Sequence, residues 1–326
     1  MLNTSLHLHE KIFDEKPETV AIRIGFGDGL VEAAKLDERI VGLCADLTES
    51  TRMHLFKEAF PKRFVQVGIA EQNLAATAAG MAAMGKIPFI SSYAMFSPGR
   101  NWEQIRTTAC YNNQPVKVIG SHAGISVGPD GGTHQAVEDV AIMRVIPRMN
   151  VIVPCDSNQA RLATLALAKT MSPTYLRLAR EKTALVTTLE TPFEIGKAQE
   201  LWRSQSPKVA FIAMGALVHN TLLAAKKLDE EGIGSVVLNI HTIKPIDADA
   251  IISVAKEVGC VVSVEEHQIM GGLGSAIAEI LAQHAPTRMH MVGVKDEFGQ
   301  SGTMAELLER YEMTPRHIIA AAKTLL

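Results

Sequence analysis

The chain has 326 residues, 47% of them hydrophobic and 21% charged, with a formal net charge of −3. That length exceeds what one core usually serves, so two domains are expected, and the composition is that of a globular protein rather than a disordered or fibrous one. Lys and Arg are scattered rather than clustered, which argues against a nucleic-acid partner, and the most apolar helix, over 74–85, is alanine-rich and too short to cross a bilayer.

Residues 1–19 read as an N-terminal extension; Glu10, Lys11, Asp14, Glu15 and Lys16 make it unlike a secretory signal. The four cysteines, Cys44, Cys110, Cys155 and Cys260, lie far apart with no metal-ligand spacing, and three sit in or beside apolar runs. They are expected to be reduced core thiols of a cytoplasmic protein with no membrane segment.

From 20 to 186 apolar strand-like runs alternate with helices, the pattern of a doubly wound, mostly parallel sheet. Strands are expected over 40–44, 64–67, 86–90, 116–120, 151–153 and 175–178. Open sheets of this kind bind ligands at the carboxyl ends of their strands. Asp46, Ser50, Glu71, Tyr93, Phe96, His122, Asp130, His134 and Arg180 all fall on that edge.

Three constellations stand out there. Glu71, in Gly68-Ile69-Ala70-Glu71-Gln72-Asn73, opens a helix with almost no charge, so its carboxyl group is expected to be buried. A buried carboxyl group can hydrogen-bond a ring nitrogen of a bound heterocycle, and Tyr93 and Phe96, past the end of the next strand among Ser and Gly, are placed to stack on a flat ligand. The second is the glycine-rich loop 121–135, where tight turns display His122, Asp130 and His134, groups able to donate to substrate oxygens or to shuttle a proton. The third is Arg23, Ser50 and Arg180 on separate segments, donors suited to a phosphate ester. No set of ligands has metal spacing.

Residues 187–206 are more polar, contain Pro192 and lack a clean period, and are read as an interdomain linker. A second α/β unit is expected over 207–326, with strands at 208–214, 235–240, 260–265 and 288–294. Gly271-Gly272-Leu273-Gly274 opens one of its helices without the spacing of a phosphate loop, so close helix packing is expected there.

Together these stretches resemble the transketolase family of thiamine diphosphate enzymes, its pyrimidine-binding domain followed by its C-terminal domain. The resemblance runs from about Arg23 to the C-terminus and is carried most specifically by GIAEQN and VGPDGGTHQ. It implies two α/β domains with mostly parallel sheets, at 20–186 and 207–326. Glu71 would bond the aminopyrimidine ring nitrogen of thiamine diphosphate and so activate a cofactor that serves as electron sink. Phe96 with Tyr93 would stack on that ring, and Asp46, in ADLTES, would lie beside the cofactor. His122, Asp130 and His134 would contact the donor sugar, with His122 and His134 catalytic, and Arg23, Ser50, His122 and Arg180 would grip the sugar phosphate.

By the resemblance, the diphosphate and Mg2+ belong to a preceding domain with a GDG motif followed some distance later by Asn. Gly27-Asp28-Gly29 imitates that motif but sits in the first helix with no Asn at a suitable distance, so it is read as no metal site and that domain is expected on another chain. The resemblance therefore implies a C-terminal subunit of a split transketolase that shares thiamine diphosphate with a separate N-terminal subunit holding the magnesium, in an α2β2 assembly acting on phosphosugars. One departure is Pro98-Gly99-Arg100, where single-chain members carry a further aromatic. It keeps a 1-deoxyxylulose-5-phosphate synthase-like chain as an alternative, beside a 2-oxoacid dehydrogenase beta-like subunit and a non-catalytic regulatory homologue.

Overall fold

Central parallel strands are covered on both faces and therefore read as unbroken apolar runs; every residue of Ile40–Cys44 and Lys117–Ser121 is buried. The computed structural model describes all 326 residues. In chain order the first half contains β1 (Thr19–Ala21), α1 (Ile22–Leu36), β2 (Ile40–Cys44), α2 (Met53–Ala59), β3 (Phe64–Gln66), α3 (Glu71–Ala83) and β4 (Ile87–Tyr93). It continues with α4 (Trp102–Gln104), which runs into a π-helical turn at Ile105–Tyr111, then β5 (Lys117–Ser121), α5 (Asp139–Arg144), β6 (Asn150–Ile152), α6 (Ser157–Ala168), β7 (Thr174–Arg177) and β8 (Lys182–Ala184). The second half contains β9 (Gln199–Arg203), β10 (Pro207–Ala213), α7 (Val218–Glu230), β11 (Gly234–Asn239), β12 (Thr242–Lys244) and α8 (Ala248–Val258). β13 (Cys260–Gln268), α9 (Leu273–His284), β14 (Arg288–Val294), α10 (Met304–Arg310) and α11 (Pro315–Lys323) complete it.

The first sheet has seven strands in the order β12-β6-β7-β5-β4-β2-β3, and the second five in the order β14-β13-β10-β11-β9. Pairing is parallel throughout except for the edge strands β12 and β9 and for a separate ribbon of β1 with β8. The α/β class is as the sequence implies. Two features are not. β12 comes from the second half of the chain yet joins the first sheet, pairing with β6. The stretch 187–206, read as a linker, contains β9, with Leu201 and Trp202 buried.

Packing follows from the two-sided burial. One face of the first sheet packs under α1, α2 and α6 in a cluster that includes Phe26, Phe56 and Phe89. The other face meets the second sheet and its helices in a cluster of 36 buried residues drawn from both halves, among them Leu43, Val118, Val151, Ile212, Val236 and Ile277. The halves thus share a core. The N-terminal stretch is held too: the Asn3 N–H donates to the Leu201 carbonyl, and Ile12 is fully buried.

The glycines of Gly27-Asp28-Gly29 serve packing, Gly27 against Arg52 and Leu55, Gly29 against Arg161 and Thr164. Those of Gly271–Gly274 do likewise. The buried Glu265 carboxylate accepts the N–H groups of Leu273 (2.7 Å) and Gly274 (2.8 Å) at the start of α9, and it fills the space a Cβ on Gly272 would need. Burial pushes that carboxyl pKa up to about 7. The amides a phosphate would use are already bonded.

Candidate functional site

The carboxyl ends of β2, β4, β5 and β7 open on one edge of the first sheet, and the site grows from there. β5 ends at Ser121, whose carbonyl accepts the Ala94 N–H, and the next residue, His122, turns into the left-handed region at φ 55°. The turn swings the imidazole off the sheet. His122 is 3% exposed, its Nδ1 lies 2.8 Å from the Ser121 hydroxyl, and its ring stacks on Tyr93 with centroids 3.9 Å apart. Burial, and then the charges of Arg23 and Arg180, push its pKa down to about 3, so the ring is neutral.

Around it the rings form a wall. Tyr93 and Phe96 lie nearly parallel at 6.1 Å, and His134 stands edge-on to Phe96 at 5.4 Å and to Tyr93 at 6.3 Å. His134 Nδ1 is 3.0 Å from the Thr133 hydroxyl.

Glu71 is the first residue of α3, where its carboxylate is favoured by the helix dipole. It is 3% exposed, and Oε2 is buried with no hydrogen-bond partner. Arg100 Nη1, on a largely exposed side chain, lies 3.2 Å from that oxygen and supplies charge. The Glu71 carbonyl accepts from Asn101 Nδ2 at 2.9 Å, and the same amide donates to the Ser97 hydroxyl, which ties the helix start to the turn carrying Phe96. A buried carboxylate that accepts no hydrogen bond, tied to the turn that carries one of those rings, is fitted to a flat heterocycle with a donor on its edge.

The cationic group assembles from three segments. Arg23 donates to the Arg180 carbonyl and Arg180 to the Val127 carbonyl, while Arg180 Nη1 is 3.8 Å from Asp130 and 3.7 Å from Glu181. Burial and the neighbouring guanidinium groups of Arg52 and Arg180 lower the pKa of Arg23. Two of these arginines, Arg23 and Arg52, keep a buried Nε–H with no acceptor, donors that suit an anionic ligand.

The structure therefore brings together Glu71, Tyr93, Phe96, His122 and His134, and next to them Arg23, Asp130 and Arg180. It does not join Asp46 and Ser50 to them: Asp46 is exposed at φ 59°, its N–H bonded to Gln66, and no hydrogen bond or ion pair links Asp46 or the half-buried Ser50 to the other site residues. Arg52 and Glu266 are absent from the sequence reading. Arg52 looks like an ordinary helix-start cation. Glu266 lies in an apolar strand, and the run Glu265-Glu266-His267 at its end was the available signal.

Comparison with known proteins places both halves. Residues 18–184 match the model of the transketolase pyrimidine-binding domain, and residues 196–318 that of the transketolase C-terminal domain. The chain is 40% identical over 310 residues to the 6-deoxy-6-sulfo-D-fructose transketolase subunit SqwH of Clostridium sp. (strain MSTE9), covering 95% of this chain and 96% of that protein. It is 42% identical over 293 residues to a putative transketolase C-terminal section of Methanocaldococcus jannaschii, covering 89% of this chain and 91% of that one. Among solved structures, a split gene transketolase described as an inactive beta4 tetramer superposes with a TM-score of 0.88 at 42% identity, covering 94% of this chain and 98% of that one. The pair of domains defines the class: a transketolase pyrimidine-binding domain with its C-terminal companion domain. The chain belongs to the transketolase family.

Proposed function

We propose that this chain is the C-terminal subunit of a split, thiamine diphosphate-dependent transketolase that moves a two-carbon ketol unit between phosphosugars. Its relatives of matching length are named as subunits or sections of transketolases, which supports a site completed by a second chain. That N-terminal subunit would carry the diphosphate and its Mg2+, and the assembly would be α2β2. We read the enzyme as cytoplasmic; all four cysteines are buried and unpaired, and no helix is long and apolar enough to cross a membrane.

The observation that carries this reading is the buried Oε2 of Glu71, which accepts no hydrogen bond and has only the exposed Arg100 beside it, on a helix start tied through Asn101 and Ser97 to the turn that carries Phe96. Glu71 would hold the pyrimidine edge, Phe96 and Tyr93 would set its plane, and Asp46 would line the cofactor from the side the partner chain closes. When bound, thiamine diphosphate supplies an electron sink for breaking the donor's carbon–carbon bond. The protein's part is then proton handling and grip. His122, held neutral, and His134 would hold or pass protons at the donor's oxygens. Asp130 would accept from a sugar hydroxyl, and Arg23, Ser50, His122 and Arg180 would bind the terminal anion.

The test is a ketol-transfer assay with xylulose 5-phosphate and ribose 5-phosphate, thiamine diphosphate and Mg2+, on this chain alone and with its N-terminal partner. Turnover only in the mixture is expected, and Glu71→Ala should lower it by about 10³-fold or more without unfolding the chain. Full activity of that variant would overturn the role of Glu71. Since a relative is named for a sulfonated sugar, a 6-sulfonated ketose belongs in the donor panel. Turnover with no donor despite cofactor binding would favour a non-catalytic homologue.

A further inference from the structure

The glycine-rich loop is braced from the other half of the chain as well as by its own hydrogen bonds. Its N-terminal part is closed by a carboxylate from the other half of the chain: Glu266, on β13 and 2% exposed, accepts the Ser126 N–H at Oε1 over 2.5 Å. Gly124, at φ 85°, lies so close that a Cβ there would collide with the Glu266 carboxyl group. The far part is gripped as well. Gln135 Nε2 donates to the Gln300 carbonyl at 3.0 Å and to the Ile125 carbonyl at 3.0 Å, Gly131 packs on Ser301, and Gly132 packs on Gly299. Beneath the loop, Arg177 Nη2 bridges the Ala136 and Glu266 carbonyls, at 3.3 and 2.9 Å, and the Gln268 N–H donates to the Val137 carbonyl.

A carboxyl group buried this deeply is costly unless its bonds repay the desolvation. Burial raises the Glu266 pKa, its Oε2 has no partner, and Arg177 is the nearest compensating charge. The hydrogen bond that the Glu266 carboxyl group accepts comes from the loop that displays His122, Asp130 and His134.

We infer that Glu266 is a positioning residue: the C-terminal domain acts as a template that sets the backbone of the histidine loop, with Glu266 fixing its first turn and the 299–302 segment its second. The C-terminal half then contributes to donor recognition without touching the donor. This rests on the proposed role of the loop in donor binding. The clamp itself can be measured without any substrate.

Two readouts test it on Glu266→Ala and Glu266→Gln. In the full chain, amide hydrogen exchange over 124–135 is expected to speed up about tenfold or more in the alanine variant, with β2 and β4 unchanged. In the enzyme assembled with its partner, kcat/KM for the donor is expected to fall about tenfold or more, with the dissociation constant of thiamine diphosphate within about twofold of the parent. Glutamine keeps the acceptor oxygen and should restore both readouts to within about threefold. Should the alanine variant fail to fold, Gly124→Ala pushes the same contact apart from the loop side and should loosen the same amides. Unchanged loop exchange overturns the clamp. Loosened exchange with an unchanged kcat/KM for the donor overturns positioning and leaves a purely structural role. Loosened exchange together with a parent enzyme that turns over no donor upholds the clamp and rejects the proposed reaction.

Discussion

His122 shows how a single residue's chemistry is set by its surroundings. Its pKa falls from 6.5 to about 3 because the ring is buried and then because Arg23 and Arg180 stand near it. The folded ring therefore takes up a proton less readily than the unfolded one. Its contribution to stability is full above about pH 6.5 and is lost as the pH falls toward 3. We expect ring 15N shifts to report a neutral imidazole from about pH 5 to 9; a charged ring at about pH 6 would show that the ring is more open to water than the structure has it. At this scale the sequence was informative where a residue type conflicts with its setting. Glu71 ahead of an alanine-rich helix and the histidines among glycines carried that conflict; Arg52 and Glu266 did not, because their partners lie 29 and 140 residues away from them (Arg23 and Ser126) and only folding brings them close.

The elements that hold these residues were legible to within a few positions, since strands buried on both faces are continuous apolar runs and the glycine turns mark their ends. The exceptions have a physical reason. β9 is an antiparallel edge strand whose pattern is mixed with Glu200 and Arg203, and β12 is three residues long, too short for any period to register. β5 contains a Lys in a wholly buried strand: Lys117 Nζ donates to the Thr170 carbonyl (2.8 Å), the Thr170 hydroxyl (2.9 Å) and the Ser172 carbonyl (2.6 Å), so all three of its N–H groups are used. Lys117→Met keeps the stem but leaves those acceptors unpaired. A loss of about 3 kcal/mol in urea denaturation is expected, and a loss below about 1 kcal/mol would mean that water replaces the ammonium.

Over the whole molecule, a buried ion pair of the first half meets the second half through the Glu266 carbonyl and His267, beside the shared apolar core. Arg177 and Asp139, 3% and 1% exposed, pair at 2.8 Å, Tyr175 donates to the same carboxylate at 2.5 Å, and His267, whose pKa burial pushes down to about 4, lies 4.0 Å from its other oxygen. Removing one partner of such a pair strands the other charge. Asp139→Ala is expected to destabilise the chain by about 3–5 kcal/mol and Asp139→Asn by less; a single unchanged denaturation midpoint for the alanine variant would contradict this.

The three residues of β12 settle where this chain can be divided. They complete the hydrogen bonding of β6, with the Val153 N–H donating to the His241 carbonyl at 2.8 Å, and Lys244 ends the strand just before Pro245. Proline and lysine at a sheet margin discourage further strands from adding. A fragment stopped in the 187–206 stretch would retain most of the first sheet but lose that cover, and the bare backbone of β6 would become a template for another copy of itself. The pyrimidine-binding half thus depends on the rest of the chain for its strand cover as well as for its histidine loop and its core, and a recombinant fragment that ends before Thr242 is expected to precipitate where the full chain stays in solution.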